Sequence, residues 1–303
     1  MLLAFRRTLA AAVLSWPLAA GAQDIEPRMF SNTPVGVNFL LAGYAYTRGG
    51  LALDPALPIA DTHLQTSNAI LAYARALDVF GMSGKVDVVV PYTWLSGSAA
   101  YKGEPVDRIV SGFSDPAVRF SVNFYGAPAL AFPEFASYRQ DLIIGGSVQV
   151  TAPASQYDPT RVVNIGTNRW SLKPEIGASK AWGPWIFEAA GGATFFTDNS
   201  DFFNGHTRAQ DPIYALQAHV IREFQGGVWG SLDATYYWGG QTYVDGERSG
   251  TELDNWRYGA TLALPVNRYN SIKGYASSGI SSRTGAAYKL VGLVWQYRWG
   301  GGL

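Results

Sequence analysis

Residues Tyr288 to Trp299 read Y-K-L-V-G-L-V-W-Q-Y-R-W, and this stretch decides the fold. Val291, Leu293, Trp295, Tyr297 and Trp299 occupy every second position, with Gln296 and Arg298 between the last of them. A strand turns successive side chains to opposite faces, so the segment has one apolar face and one mixed face. In a soluble sheet a second protein layer would cover the apolar face. Here that face carries Trp295, Tyr297 and Trp299, and the far end of the sequence reads as a secretion signal. The combination points to the closing strand of an outer-membrane β-barrel, with lipid as the covering layer.

Residues 1–22 have the form of a signal peptide. Arg6 and Arg7 give the positive region, Thr8 to Leu18 the apolar core, and Ala20-Gly21-Ala22 a small-residue cleavage site. The core is too short to cross a bilayer, which takes about 20 residues, so it reads as a leader and not as an anchor. Residues 23–303 are then one barrel domain, because no linker divides them. The segment Gln23–Pro34 ahead of the first strand is too short for an independent plug domain.

Composition agrees. Charged residues make up 15% of the chain, where soluble domains carry about 25%. Aromatics reach 14%, enough for girdles at both interfaces of a bilayer. Cys is absent, so neither disulfides nor thiolate metal sites stabilise the fold. Acidic and basic residues balance at 23 each, which gives no reason to expect nucleic acid as a partner.

The alternation predicts twelve strands in an antiparallel up-and-down barrel. They are Val35–Arg48, Gln65–Val79, Lys85–Ser96, Asp115–Tyr125, Gln140–Ala152, Arg169–Trp182, Pro184–Asn199, Pro212–Phe224, Gly227–Gln241, Asp254–Pro265, Tyr269–Gly279 and Tyr288–Trp299. The pattern is clearest where Val86, Val88, Val90, Tyr92 and Trp94 oppose Lys85, Asp87 and Thr93. It is equally clear where Leu172 and Ile176 oppose Lys173, Glu175, Gly177 and Ser179. Short connections alternate with long ones, as expected for periplasmic turns and extracellular loops. Gly126–Arg139 breaks the rule: it is long, holds Pro128 and Pro133, and predicts a periplasmic extension or short helix around Pro133–Tyr138.

Several stretches carry a resemblance. E-F-A-S-Y-R-Q-D (Glu134–Asp141), Q-Y-D-P-T-R (Gln156–Arg161), N-I-G-T-N-R-W-S-L-K-P-E-I-G (Asn164–Gly177) and F-F-T-D-N (Phe195–Asn199) resemble the phenol-degradation meta-pathway family. The resemblance covers nearly the whole mature chain. It implies an outer-membrane β-barrel, described as a transporter, that admits aromatic or other hydrophobic compounds. It carries no catalytic or binding residues across. The end departs from the usual barrel pattern, since Gly300-Gly301-Gly302-Leu303 follow Trp299.

The candidate functional residues are inward charges of both signs: Lys85, Asp87, Arg119, Lys173, Glu175, Glu188, Asp233 and Arg257, with Lys273 and Arg298 beside them. One reading is a water-filled passage whose charges orient a solute. The other is a set of interior ion pairs that fills a narrow lumen, with Lys173 or Glu175 pairing toward neighbours of Glu188. Loop residues Tyr101, Tyr157, Asp158, Phe202, Phe203, Tyr243 and Asp245 either form a mouth that stacks aromatic solutes or hold the loops together. Asp198-Asn199-Ser200-Asp201 lacks the Gly and distant Glu of a calcium loop and reads as solvated. His63, His206 and His219 are the histidines of the chain. None shows the Ser–His arrangement of a membrane hydrolase. The expectation is a channel for small solutes, with a sealed structural or adhesive barrel as the alternative. It has no catalytic residues, no metal and no cofactor. Its partners are the membrane lipids, the assembly machinery acting through the last strand, and the solute.

Overall fold

The structure, a computed structural model, describes residues 26–49, 60–281 and 288–303. The signal peptide lies outside the described residues. Among the described residues there are seventeen strands: β1 (Val37–Gly49), β2 (Ala60–Val79), β3 (Met82–Tyr101), β4 (Glu104–Phe113), β5 (Ala117–Tyr125), β6 (Leu142–Thr151), β7 (Ser171–Trp182), β8 (Trp185–Phe196), β9 (Asn199–Phe202), β10 (His206–Gln210), β11 (Ile213–Glu223), β12 (Trp229–Gly239), β13 (Thr242–Val244), β14 (Glu247–Arg248), β15 (Leu253–Pro265), β16 (Asn270–Ser281) and β17 (Tyr288–Gly300). Thirteen of them make one antiparallel sheet. β4 pairs only with β3, and the other twelve form a ring that closes where β1 meets β17 and β2 meets β3. Closure matters because a sheet edge in hydrocarbon would leave N–H and C=O groups without partners.

The ring follows the predicted strands with ends shifted by a few residues. The differences lie in the loops. Gly97–Ser114, the long connection between the third and fourth predicted strands, forms the upper half of the β3–β4 hairpin. Cross-strand pairing there runs from Tyr92↔Phe113 up to Tyr101↔Glu104. β4 and β5 occupy one position in the wall, interrupted at residues 114–116. The Ser114 amide bridges the interruption by donating to the Pro91 carbonyl at 2.9 Å. The loops Ser200–Asp211 and Gly239–Leu253 supply β9, β10, β13 and β14, a separate four-stranded sheet at the mouth. In Asp198–Asp201 the residues Asp198, Ser200 and Asp201 are exposed, as expected of a solvated segment, while Asn199 begins β9 and is 1% exposed. The periplasmic connection contains a short helix, α1 (Phe132–Phe135).

The faces sort as the pleat requires. Val88, Val118, Phe120, Ile176, Leu232, Leu262 and Leu293 face outward, while Lys85, Asp87, Thr93, Arg119, Lys173, Glu175 and Asp233 are buried inward. Aromatic rings stack along the outer surface in two bands. Tyr214, Trp238, Tyr236, Trp256 and Tyr258 form one toward the loops, with neighbouring centroids 4.9 to 6.0 Å apart. Trp295, Tyr297, Trp299 and Tyr73 form the other toward the turns. These are the girdles that the composition implied.

The glycine tail has a physical role. Gly300, Gly301 and Gly302 have φ of 78°, 60° and 87°, a left-handed run closed to most side chains. It turns the chain back under the rim, and Leu303 packs against the inner cluster of Val37, Phe39 and Leu41.

Lipid exposure sets the first expected outcome. Val88→Arg places a cation against hydrocarbon in mid-wall and should cost about 2–4 kcal/mol, whereas Phe80→Arg at the periplasmic turn should cost about 0–1 kcal/mol. Urea unfolding of the two variants in lipid vesicles measures the difference. Equal stabilities would mean that this face of β3 does not meet lipid.

Candidate functional site: the stoppered lumen

Residues 26–34 do not stay outside the barrel. They run into the lumen as a stopper that turns at residues 27–30, with Glu26, Arg28, Met29, Phe30, Asn32 and Thr33 buried. The segment is no plug domain, in line with its length, but it needs no fold of its own. The wall supplies partners for its polar groups, as any buried backbone requires. The Glu26 amide donates to Gln217 Oε1 at 3.4 Å, and the Arg28 amide donates to Glu188 Oε2 at 2.6 Å. Asn123 Nδ2 donates to the Phe30 carbonyl at 3.0 Å. Lys85 Nζ reaches the Met29 carbonyl at 3.5 Å.

The central charge is Arg119. Its guanidinium pairs with the Glu26 carboxylate of the stopper and donates through Nε to Asp87 Oδ2 of the wall at 3.2 Å. All three side chains are at most 3% exposed. Buried ions are tolerated only when partnered, so the cation between two carboxylates clamps the stopper to the wall. Arg28 is a second clamp. It adopts a left-handed φ of 70°, pairs with Glu223 Oε1 at 2.9 Å, and lies 5.3 Å from the Trp229 ring centroid.

Phe30 is seated by a notch in the wall. Gly145 and Gly177 are cross-strand partners on β6 and β7. A Cβ on either would collide with the Phe30 ring. The missing side chains let a backbone-level recess receive the ring. Gly177 belongs to the E-I-G run, where the alternation marked it as inward without showing what it faces.

Every charge singled out from the sequence except Arg298 is inward and buried, but they do not form one cluster. Lys173 Nζ pairs with Glu175 Oε1 of its own strand at 3.1 Å, and Gln217 Nε2 also donates to that oxygen at 3.3 Å. Glu175 thereby reaches β11, the strand that flanks Glu188 on β8. Glu188 itself accepts from the Arg28 amide and from Ser179 Oγ. Asp233 holds His219 Nδ1 at 2.8 Å and also accepts from Ser231 Oγ at 3.1 Å. Arg257 lies apart, 3.7 Å over the Tyr288 ring and bonded to Ser277 Oγ at 2.6 Å. Arg298 turns to the Arg268 carbonyl at the periplasmic turn and leaves the lumen group.

Apolar clusters share the rest of the interior with neutral polar residues such as Thr47, Thr66, Asn68 and Thr93. Phe39, Leu41, Ala45, Ile70, Ala72, Ala74 and Val294 line the side built by β1, β2 and β17. Nearer the mouth Leu64, Leu95, Tyr101 and Phe202 pack with Val162, Val163 and Ile165 of the loop folded over it. Tyr101, Phe202 and Phe203 thus hold the loops together, the second of the two readings for those aromatics. Tyr157 accepts from Asn199 Nδ2 at 2.8 Å in the same role. Arg169 and Arg208, which no strand pattern marked, converge on Gln210 Oε1 beneath this cover.

A closed antiparallel ring with an apolar belt, aromatic girdles and a polar interior is a transmembrane β-barrel of the outer-membrane type. The chain belongs to the family described as "Putative MetA-pathway of phenol degradation", which matches residues 36–297. An outer membrane channel from Pseudomonas putida F1 superposes with a TM-score of 0.74 at 17% identity, covering 91% of this chain and 100% of that one. The β domain of the Bordetella autotransporter BrkA gives 0.51 at 11% identity, covering 88% and 100%. The transport unit of the autotransporter AIDA-I from Escherichia coli gives 0.51 at 8% identity, covering 86% and 90%. At these identities the likeness is one of fold. No curated protein matches the sequence.

Two outcomes follow from the site. Arg119→Ala strands two buried carboxylates, and breaking such a pair costs about 3–5 kcal/mol. Urea unfolding in vesicles should show that loss, with Glu26→Gln partly restoring stability in the double variant. At the mouth, the Thr207 amide, and then His206, hold the Asp245 carboxyl below the usual carboxylate range. A carboxylate with a depressed pKa stabilises the fold above its unfolded pKa and loses that contribution as pH falls through the folded one. The β10–β13 sheet should therefore stay intact at mildly acidic pH, with the Asp245 carboxyl carbon titrating by NMR below ordinary Asp.

Proposed function

We propose that the barrel is an outer-membrane channel for passive or facilitated uptake of small aromatic or hydrophobic molecules, with residues 26–34 as its closed stopper. The observation that carries this reading is the division of the interior. On one side apolar side chains predominate, Leu64 and Leu95 near the mouth and Phe39, Leu41 and Ile70 below a hydrogen-bonded band of Thr47, Thr66, Asn68 and Thr93, and the opposite wall carries Lys85, Asp87, Arg119, Lys173, Glu175, Glu188 and Asp233. Binding sites for small organic molecules combine apolar surface with a few placed polar groups, and this side of the lumen offers both. The stopper is held by side chains and single hydrogen bonds and pairs with no strand of the wall along residues 26–34, so it can leave without opening the barrel. The family's association with phenol degradation and the shared fold with a channel both agree.

The sealed structural or adhesive barrel is favoured by one observation: Arg119, Lys173 and His219 each have an acidic partner in the lumen. A hydrolase is disfavoured by geometry. Ser231 donates to Asp233, and so does not stand as a nucleophile activated by His219. In this reading β17 is the strand offered to the assembly machinery.

Planar-bilayer conductance and uptake of the fluorescent arene N-phenyl-1-naphthylamine by expressing cells separate the two main readings. The native barrel should conduct weakly and speed arene uptake. Removal of residues 23–34 should raise conductance severalfold. Gly177→Val, which overfills the Phe30 notch at a cost of about 1–3 kcal/mol, should raise it in the same direction. A folded barrel lacking residues 23–34 that neither conducts nor admits the arene would overturn the channel.

A further inference from the structure

The register of the wall assembles a second site on the outer surface, remote from the lumen. Along one row Lys289 stands opposite Arg48, Arg48 opposite Gln65, Gln65 opposite Ser96, and Ser96 opposite Ile109. The next row toward the membrane centre holds Val291, Tyr46, Ser67, Trp94 and Ser111. The serines are small beside Tyr46, Trp94 and Ile109, and the difference in size hollows the wall. The result is a groove of about 420 Å³ lined by Tyr46, Gln65, Ser67, Trp94, Ser96 and Ile109. Tyr46 donates to Gln65 Oε1 at 3.0 Å, and Tyr44 donates to Ser67 Oγ at 2.8 Å, which fixes one side of it.

Arg48 stands cross-strand from Gln65 at the edge of this groove, and Lys289 lies one strand farther on. Like charges directly opposite on a sheet repel, and neither has an acidic partner among the described residues. Their position says what resolves the repulsion. Tyr and Trp rings sit at the head-group level of a bilayer, and the cation row lies about 7 Å farther out along the strands than Tyr46 and Trp94. That is the level of head-group phosphates, on the side of the long loops. The outer leaflet of an outer membrane is built from a phosphorylated saccharolipid. An arginine fork with a lysine beside it donates strongly to phosphate oxygens, and an aromatic face suits a sugar ring or a lipid chain.

We propose that this groove binds the phosphorylated disaccharide head of a lipopolysaccharide molecule. A phosphate lies between Arg48 and Lys289, and the sugar with its first acyl carbons lies against Trp94 and Ile109. The site anchors the barrel to the outer leaflet at the β17–β1–β2–β3–β4 sector. It is independent of what passes through the lumen.

The test uses the purified, folded full-length barrel in mild detergent, stripped of lipid and titrated with lipid A, with dephosphorylated lipid A and with phosphatidylglycerol. Native mass spectrometry reads the bound lipid. Lipid A should bind roughly tenfold more tightly than phosphatidylglycerol and than its dephosphorylated form. Arg48→Gln combined with Lys289→Gln should weaken lipid A roughly tenfold, while the exchange Arg48→Lys with Lys289→Arg retains it. Ser67→Trp, which fills the groove and keeps both cations, should also lose lipid A. Heat-modifiable migration on gels verifies folding of each variant. If the double glutamine variant fails to fold, Ser67→Trp and the exchange variant decide. Equal binding of lipid A and phosphatidylglycerol, or lipid A binding untouched by the glutamine pair or by Ser67→Trp, would refute the site.

Discussion

The pairing of β1 with β17 is the interaction on which the rest depends. It runs without a break from Val37↔Gly300 to Gly49↔Tyr288 and joins the two ends of the chain. Until it forms, two strand edges face a medium that offers no hydrogen-bond partner, and the apolar belt has no continuous surface to present. Once it forms, inside and outside exist, and the pleat sorts every later side chain between them. The left-handed glycine run after Trp299 belongs to the same closure, since it tucks Leu303 beneath the first strand.

Closure creates an interior that must then be filled. Half of it is solved by ordinary apolar packing of Phe39, Leu41, Ile70 and Val294. The other half holds buried charges, and these are stable only in pairs. Most pairs lie within the wall: Arg119 with Asp87, Lys173 with Glu175 and His219 with Asp233. The stopper adds to them, since Glu26 is a second partner of Arg119 and the Arg28 amide donates to Glu188. A segment of chain that enters from the rim thus shares in the electrostatics of the lumen.

The outer surface obeys the same register with a different solvent. Along most of it Val, Leu and Phe meet lipid. At the rim near the loops the pattern changes to Gln65, Ser67, Ser96 and Ser111 beside Arg48 and Lys289. Polar residues on a lipid-facing wall are expensive at mid-membrane and inexpensive at the head groups, so their position reports the depth of the barrel in the bilayer.

Period-two alternation was legible in the sequence and determined the strand set, the facing of Lys85, Asp87, Arg119, Lys173, Glu175, Glu188, Asp233 and Arg257, and the lipid face, because the pleat is a local property of the backbone. Gly and charged residues in 97–114 concealed the β3–β4 hairpin, since pairing above the membrane needs no apolar face to announce it. The stopper was illegible for a stronger reason. Residues 26–34 have no period, and their partners lie far along the chain: Glu26 meets Arg119 across 93 residues, and Arg28 meets Glu188 across 160. The partners of the two carboxylates were decided in the same way: Glu175 holds Lys173 and Gln217, while Glu188 accepts from the stopper's Arg28 amide. The sequence by itself determined a barrel with a charged interior. Only the tertiary structure decided that the interior is closed, because what closes it is a set of contacts that exists after the ring has formed.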